Sequence, residues 1–118
     1  MSDKPAIPLT PCIAEGNLLF LSGQLGYLAP GQLAEGGIEA QTNQTFINIS
    51  KVLEANGATL KDIIKATVFL TDKANFAAFN AAYREHFPDG AYPTRSTVVC
   101  ELVAPGALVE IEVVARKA

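Results

Sequence analysis

The chain has 118 residues, 49% of them hydrophobic and 18% charged, and a net charge of −3. That length makes a single domain, residues 1–118, with room for one real core but not for two. No apolar stretch reaches the length of a membrane span, and the nine Lys and Arg residues form no run longer than Arg116-Lys117, which speaks against a nucleic-acid surface.

In chain order, Met1-Ser2-Asp3-Lys4-Pro5 has no apolar signal core, so a cytoplasmic protein is expected. A strand is expected near Ala6–Ile13, and a second over residues 17–22, apolar on both faces. Gly23-Gln24 ends that strand, and residues 26–37, with Pro30-Gly31 and Gly36-Gly37, read as a loop. Ile38, Thr42, Thr45, Ile49, Val52 and Leu53 then recur at helical spacing, which predicts a helix over 38–55 stopped by Asn56-Gly57. Residues 63–70 are a β-rich run, and Asp72 is a suitable N-cap for a second helix. In that helix Phe76, Phe79, Tyr83 and Phe87 form one stripe before Pro88-Asp89-Gly90 ends it.

Strands over 94–100 and 108–115, joined by a turn around Pro105-Gly106, close the chain. Such alternation predicts α/β layers with right-handed crossovers and both helices on one sheet face. Two helices cover only one face, yet the strands at 17–22 and 63–70 are apolar on both. The low charge fraction agrees with a covered second face, so a homo-oligomer packed sheet against sheet is expected.

The chemistry-bearing residues are few. Cys12 and Cys100 show no metal or redox spacing and read as two reduced thiols, one of them buried in a strand. The sole histidine, His86, falls in the last turn of the second helix, where a cation suits the carboxyl end. With no Ser/His/Asp set, metal-ligand cluster, Walker loop or GxGxxG motif, the expected chemistry uses neither metal nor nucleotide.

Two charged residues remain. Arg95 lies in the uncharged stretch Tyr92-Pro93-Thr94-Arg95-Ser96-Thr97-Val98-Val99, and Glu110, fifteen positions on, lies in Leu108-Val109-Glu110-Ile111-Glu112-Val113-Val114. A guanidinium in a β-branched run needs a partner, and its planar fork suits a carboxylate. Alternation places Arg95, Thr97 and Val99 on one face of their strand and Glu110 and Glu112 on the polar face of theirs. These residues are either an interfacial ion-pair partner with a solvated stripe, or two halves of a small-molecule site. Ser22-Gly23 is a plain strand-ending turn or a hydroxyl and backbone N–H offered to an anion.

Taken together, Gly16-Asn17-Leu18-Leu19-Phe20-Leu21-Ser22-Gly23-Gln24, Asn56-Gly57 leading to residues 63–70, Phe76 through Tyr83, Pro93-Thr94-Arg95-Ser96 and Val109-Glu110-Ile111-Glu112 resemble the RidA (YjgF) family over nearly the whole chain. The resemblance implies an α+β, chorismate-mutase-like fold: a mixed six-stranded sheet with two helices on one face, assembled into a homotrimer with a barrel core and clefts between subunits. It implies hydrolysis of reactive enamines and imines, such as 2-aminoacrylate, to 2-ketoacids and ammonia without a cofactor. It places the carboxylate-gripping arginine at Arg95 and the catalytic carboxylate at Glu110. The other substrate-binding positions fall on Ser22, Gly23 and Thr97, the last where many members have cysteine. One departure is plain: Leu9-Thr10-Pro11-Cys12-Ile13 lacks the tyrosine that archetypal members use to close the cleft, for which Tyr27 or Tyr92 are the substitutes at hand. Two other readings stand beside deamination: a non-catalytic 2-ketoacid-binding or regulatory protein, and a ribonuclease or translation inhibitor.

Overall fold

The computed structural model describes residues 7–117. The elements run β1 (Cys12–Glu15), β2 (Leu18–Leu21), β3 (Tyr27–Ala29), β4 (Gln32–Leu33), α1 (Gly37–Ala55), β5 (Ile63–Leu70), α2 (Phe76–Arg84), β6 (Thr94–Val99) and β7 (Val109–Arg116). The main sheet has the order β1-β2-β7-β5-β6. β6 runs parallel to β5, while β7 lies antiparallel to both β5 and β2. The fold is therefore α+β with a mixed sheet.

Period-two burial fixes which face meets the helices. Val109, Ile111, Val113 and Ala115 of β7, Ala66, Val68 and Leu70 of β5, and Leu19 and Leu21 of β2 are all buried. Phe46, Ile49 and Leu53 of α1 and Phe79 and Tyr83 of α2 close over them in one core. Phe46 is the hub, with Tyr83 and Phe87 edge-on at 5.5 and 5.8 Å and His86 stacked at 4.3 Å. Aromatic pairs of this kind add about 0.5–1.5 kcal/mol each beyond area burial. They hold the end of α2 against α1. The opposite sheet face is open, with Ile13, Phe20 and Val98 exposed at 55%, 44% and 45%.

Several expectations are corrected. The first strand is Cys12–Glu15 rather than residues 6–13, and Ala6 lies outside the described residues. The main sheet has five strands, not six; residues 27–33 form a separate hairpin, turning at Gly31 with φ +75°, where only a loop was expected. The turn around Pro105-Gly106 is present between the last two strands as expected, but β5 separates them in the sheet. α2 ends at Arg84, so His86 sits in the following turn. Burial lowers the pKa of His86, and its Nε2 lies 2.8 Å from Asn43 Oδ1, so it is a neutral link between helices rather than a helix-end cation. Both thiols are free, but Cys12 is half-buried and Cys100 exposed, so neither is a core residue.

Candidate functional site

Register places the expected site residues on two faces. Arg95 pairs with Ala66, and Thr97 with Val68, so both share the buried, helix-facing side of the sheet. Glu110 pairs with Phe69, three residues from Ala66 along β5, and therefore lies on the open face. Within one chain Arg95 and Glu110 do not meet. An internal ion pair between them is excluded by the pleat.

Arg95 belongs to a cleft of about 270 Å³ lined by Asn80, Tyr83, Arg84, Tyr92, Pro93 and Arg95. Its guanidinium carbon stands 4.7 Å from the Tyr83 ring centre, 5.5 Å from Phe79 and 5.8 Å from Phe76. Its Nη2 donates to Asn80 Oδ1 at 2.8 Å. Aromatic faces attract the cation without neutralising it, and the amide is a neutral acceptor. The charge is thus oriented and kept available. Tyr83 is 4% exposed and its hydroxyl has no hydrogen-bond partner among the described residues. Burial raises its pKa, against the charge of Arg95 and a side-chain hydrogen bond from it, so the hydroxyl is within reach of the guanidinium although not in ideal geometry. The Thr97 hydroxyl is likewise buried and unpartnered.

The second group is built at the end of β2. Gln24 and Ile111 exchange backbone hydrogen bonds at 2.8 and 2.9 Å, which draws the Ser22-Gly23 turn against β7. A methyl group on Gly23 would overlap the Glu110 carboxylate, coming within 2.9 Å of its Cδ and 3.2 Å of its Cγ. Only the absence of a side chain at Gly23 admits the carboxylate there. The Glu110 pKa is raised, first by burial and then by the neighbouring Glu112. Ser22 donates its hydroxyl hydrogen to the Thr10 carbonyl at 2.6 Å, fixing the turn to the preceding segment. The structure therefore brings Ser22, Gly23 and Glu110 together, and Arg95 with Thr97 on the other face.

Asn80, Tyr83 and Arg84 escaped the sequence reading because they follow from how α2 lies over β6. A signal existed: Asn80 and Arg84 are polar residues four apart beside the aromatic stripe, and asparagine is a poor helix-interior residue without a task. Of the two candidate tyrosines, Tyr92 lines the Arg95 cleft, whereas Tyr27 lies in the hairpin beside Asn48, which donates to its carbonyl. Among the described residues no three His, Cys, Asp or Glu side chains group as a metal site, and no helix is long and apolar enough to cross a membrane.

A family model described as Endoribonuclease L-PSP matches residues 1–117. A RutC family protein of Pyrococcus horikoshii is 40% identical over 116 residues, covering 97% of this chain and 90% of the relative. The mitochondrial protein mmf2 of Schizosaccharomyces pombe is 37% identical over 113 residues, covering 93% of this chain and 88% of the relative. The solved structure of RidA from the Antarctic bacterium Psychrobacter sp. PAMC 21119 superposes with a TM-score of 0.87 at 33% identity, covering 96% of this chain and 91% of that one.

Proposed function

Because the chain belongs to the Endoribonuclease L-PSP family, known also as YjgF/RidA, we propose that it hydrolyses reactive imines and enamines of the 2-aminoacrylate type to 2-ketoacids and ammonia. The observation that carries this reading is the state of Arg95: a guanidinium seated on three rings and held by a neutral amide, with its charge open to an anion. In this reading Arg95 grips the substrate carboxylate through paired N–H donors. Water adds to the imine carbon while Glu110 takes its proton. With the imine nitrogen protonated, this gives a neutral carbinolamine. It collapses to the ketone as Glu110 delivers that proton to the departing nitrogen and takes up the hydroxyl proton in turn. One water is consumed and one ammonia released, the imine's extra proton leaving through Glu110. A carboxyl whose pKa is raised is suited to both transfers. Because the substrate is already electrophilic, positioning carries much of the rate.

Since Arg95 and Glu110 lie on opposite sheet faces, the site joins two copies, Arg95 from one and Ser22, Gly23 and Glu110 from the next. Three copies packed through their open faces are the assembly this reading requires. The reading places the protein in the cytoplasm, supported by two free thiols. A second reading, a 2-ketoacid-binding protein without turnover, is favoured by the absence of a tyrosine in residues 9–13. The ribonuclease reading has less support: His86 stacks on Phe46 and faces Asn43, outside the Arg95 cleft.

The test is imine hydrolysis by Arg95→Ala, with imino acid supplied by an amino-acid oxidase and trapped by semicarbazide. We expect at least a hundredfold loss of kcat/KM with the oligomer intact by sedimentation. Unchanged turnover would overturn the reading, and 2-ketoacid binding with no turnover in the parent protein would favour the second.

A further inference from the structure

The Arg95 cleft holds a second guanidinium that deamination of a simple imino acid does not use. Arg84, exposed at the end of α2, lines the same cleft as Arg95. Phe76, Asn80 and Arg84 recur every fourth residue, and Tyr83 lies beside them, so one face of α2 overlooks the guanidinium of Arg95. Two cations on one small cleft stand out in a chain of net charge −3. Tyr83 also lines the cleft, and its buried hydroxyl lies within reach of the Arg95 guanidinium, whose charge and hydrogen bonding act on it, so hydroxyl and guanidinium form one polar group there.

Size limits the ligand. A cleft of about 270 Å³ falls just under the ~300 Å³ at which drug-sized sites begin. Pyruvate-like acids leave much of that space, and Arg84, unused.

Resting on the deaminase reading for the role of Arg95, we propose that Arg84 is a specificity-determining residue and that the preferred ligands carry two carboxylates. These are imines of acidic amino acids and their 2-ketodiacid products. Arg95 takes the carboxylate next to the reacting carbon and Arg84 the distal one. A bound dicarboxylate gives each cation an anionic partner, whereas a monocarboxylate leaves one of them without. A purely helix-terminal role for Arg84, complementing the macrodipole, predicts no discrimination between ligands.

The experiment compares 2-oxoglutarate with 2-oxobutanoate by calorimetric titration of the assembled protein, and the two corresponding imines in the trapping assay. The parent is expected to bind 2-oxoglutarate at least tenfold more tightly. Arg84→Ala and Arg84→Gln are expected to reduce that ratio at least tenfold, and Arg84→Lys to keep part of it. Equal affinity in the parent, or a ratio untouched in both neutral variants, overturns the proposal. Turnover of both imines with no preference overturns this inference alone. A dicarboxylate preference that depends on Arg84, with no turnover of either imine, upholds it and removes the deaminase reading instead.

Discussion

Glu110 shows how a single contact sets the chemistry of a carboxylate. It is half-buried against Gly23, and its pKa is raised by burial and by Glu112. A carboxyl whose folded pKa exceeds its unfolded value favours the folded state when protonated. That contribution is complete below the ordinary carboxylate range and is lost as pH rises through the raised value. Glu110→Gln removes the ionisable group, so at pH 7 the variant should melt above the parent where no cation faces Glu110, the gap closing as pH falls into the carboxylate range. Where Arg95 of the next copy faces Glu110, the variant should melt below the parent. Thermal melts across that range check the sign. The same substitution should lower imine turnover by about a hundredfold or more, the usual weight of a general base. At this scale the sequence was informative about identity and silent about placement. Arg95 and Glu110 stood out as charges in β-rich runs, but their opposite faces depend on strand order, which residue spacing does not encode. Asn80 and Tyr83 were hidden for a related reason: Asn80 drew no reading and Tyr83 read as stripe, and only the helix lying over β6 makes them partners of Arg95.

At the scale of elements, the segment between β6 and β7 must cross the end of β5 and deliver Glu110 in register. Backbone bonds from Cys100 N to Leu70 O and from Thr71 N to Leu108 O hold it along that end. Gln41 of α1, 6% exposed, anchors it from below, donating to the Gly106 carbonyl at 3.2 Å and accepting from Leu108 N at 2.8 Å. Gln41→Leu keeps the volume but removes both bonds, one to the carbonyl of exposed Gly106 and one to the N–H of half-buried Leu108, which costs about 0.5–1.5 kcal/mol for each. Equilibrium urea unfolding should show a lower midpoint with an unchanged slope. α1 and β5 were legible because periodicity and the Asn56-Gly57 stop are local signals. The β3–β4 hairpin was not: two short strands around Pro30-Gly31 lack an alternating run. Asn48 of α1 helps hold them by donating to the carbonyls of Leu25 and Tyr27 at 2.9 Å each, a contact between segments more than twenty residues apart.

For the whole molecule, the open sheet face is the unresolved half of the burial pattern. Ile13, Phe20 and Val114 line up across β1, β2 and β7, and Glu110, Phe69 and Val98 line up across β7, β5 and β6. An apolar face carrying a half-buried carboxylate is suited to contact with another copy. The two-faced strand pattern had already led to the expectation of such a partner from the sequence. What the pleat adds is that a site using both residues, as proposed above, has to cross between copies, since Arg95 and Glu110 of one chain face away from each other. Complementation tests this directly. Arg95→Ala and Glu110→Gln are each expected to be inactive alone. Co-assembled in equal amounts, they place an intact Arg95 opposite an intact Glu110 in about a quarter of the interfaces of a cyclic assembly. The mixture should therefore recover about a quarter of parental kcat per chain, with KM unchanged at the restored sites. If co-assembled oligomers stay inactive, the site does not span copies, and Glu110 loses its place beside the substrate held by Arg95.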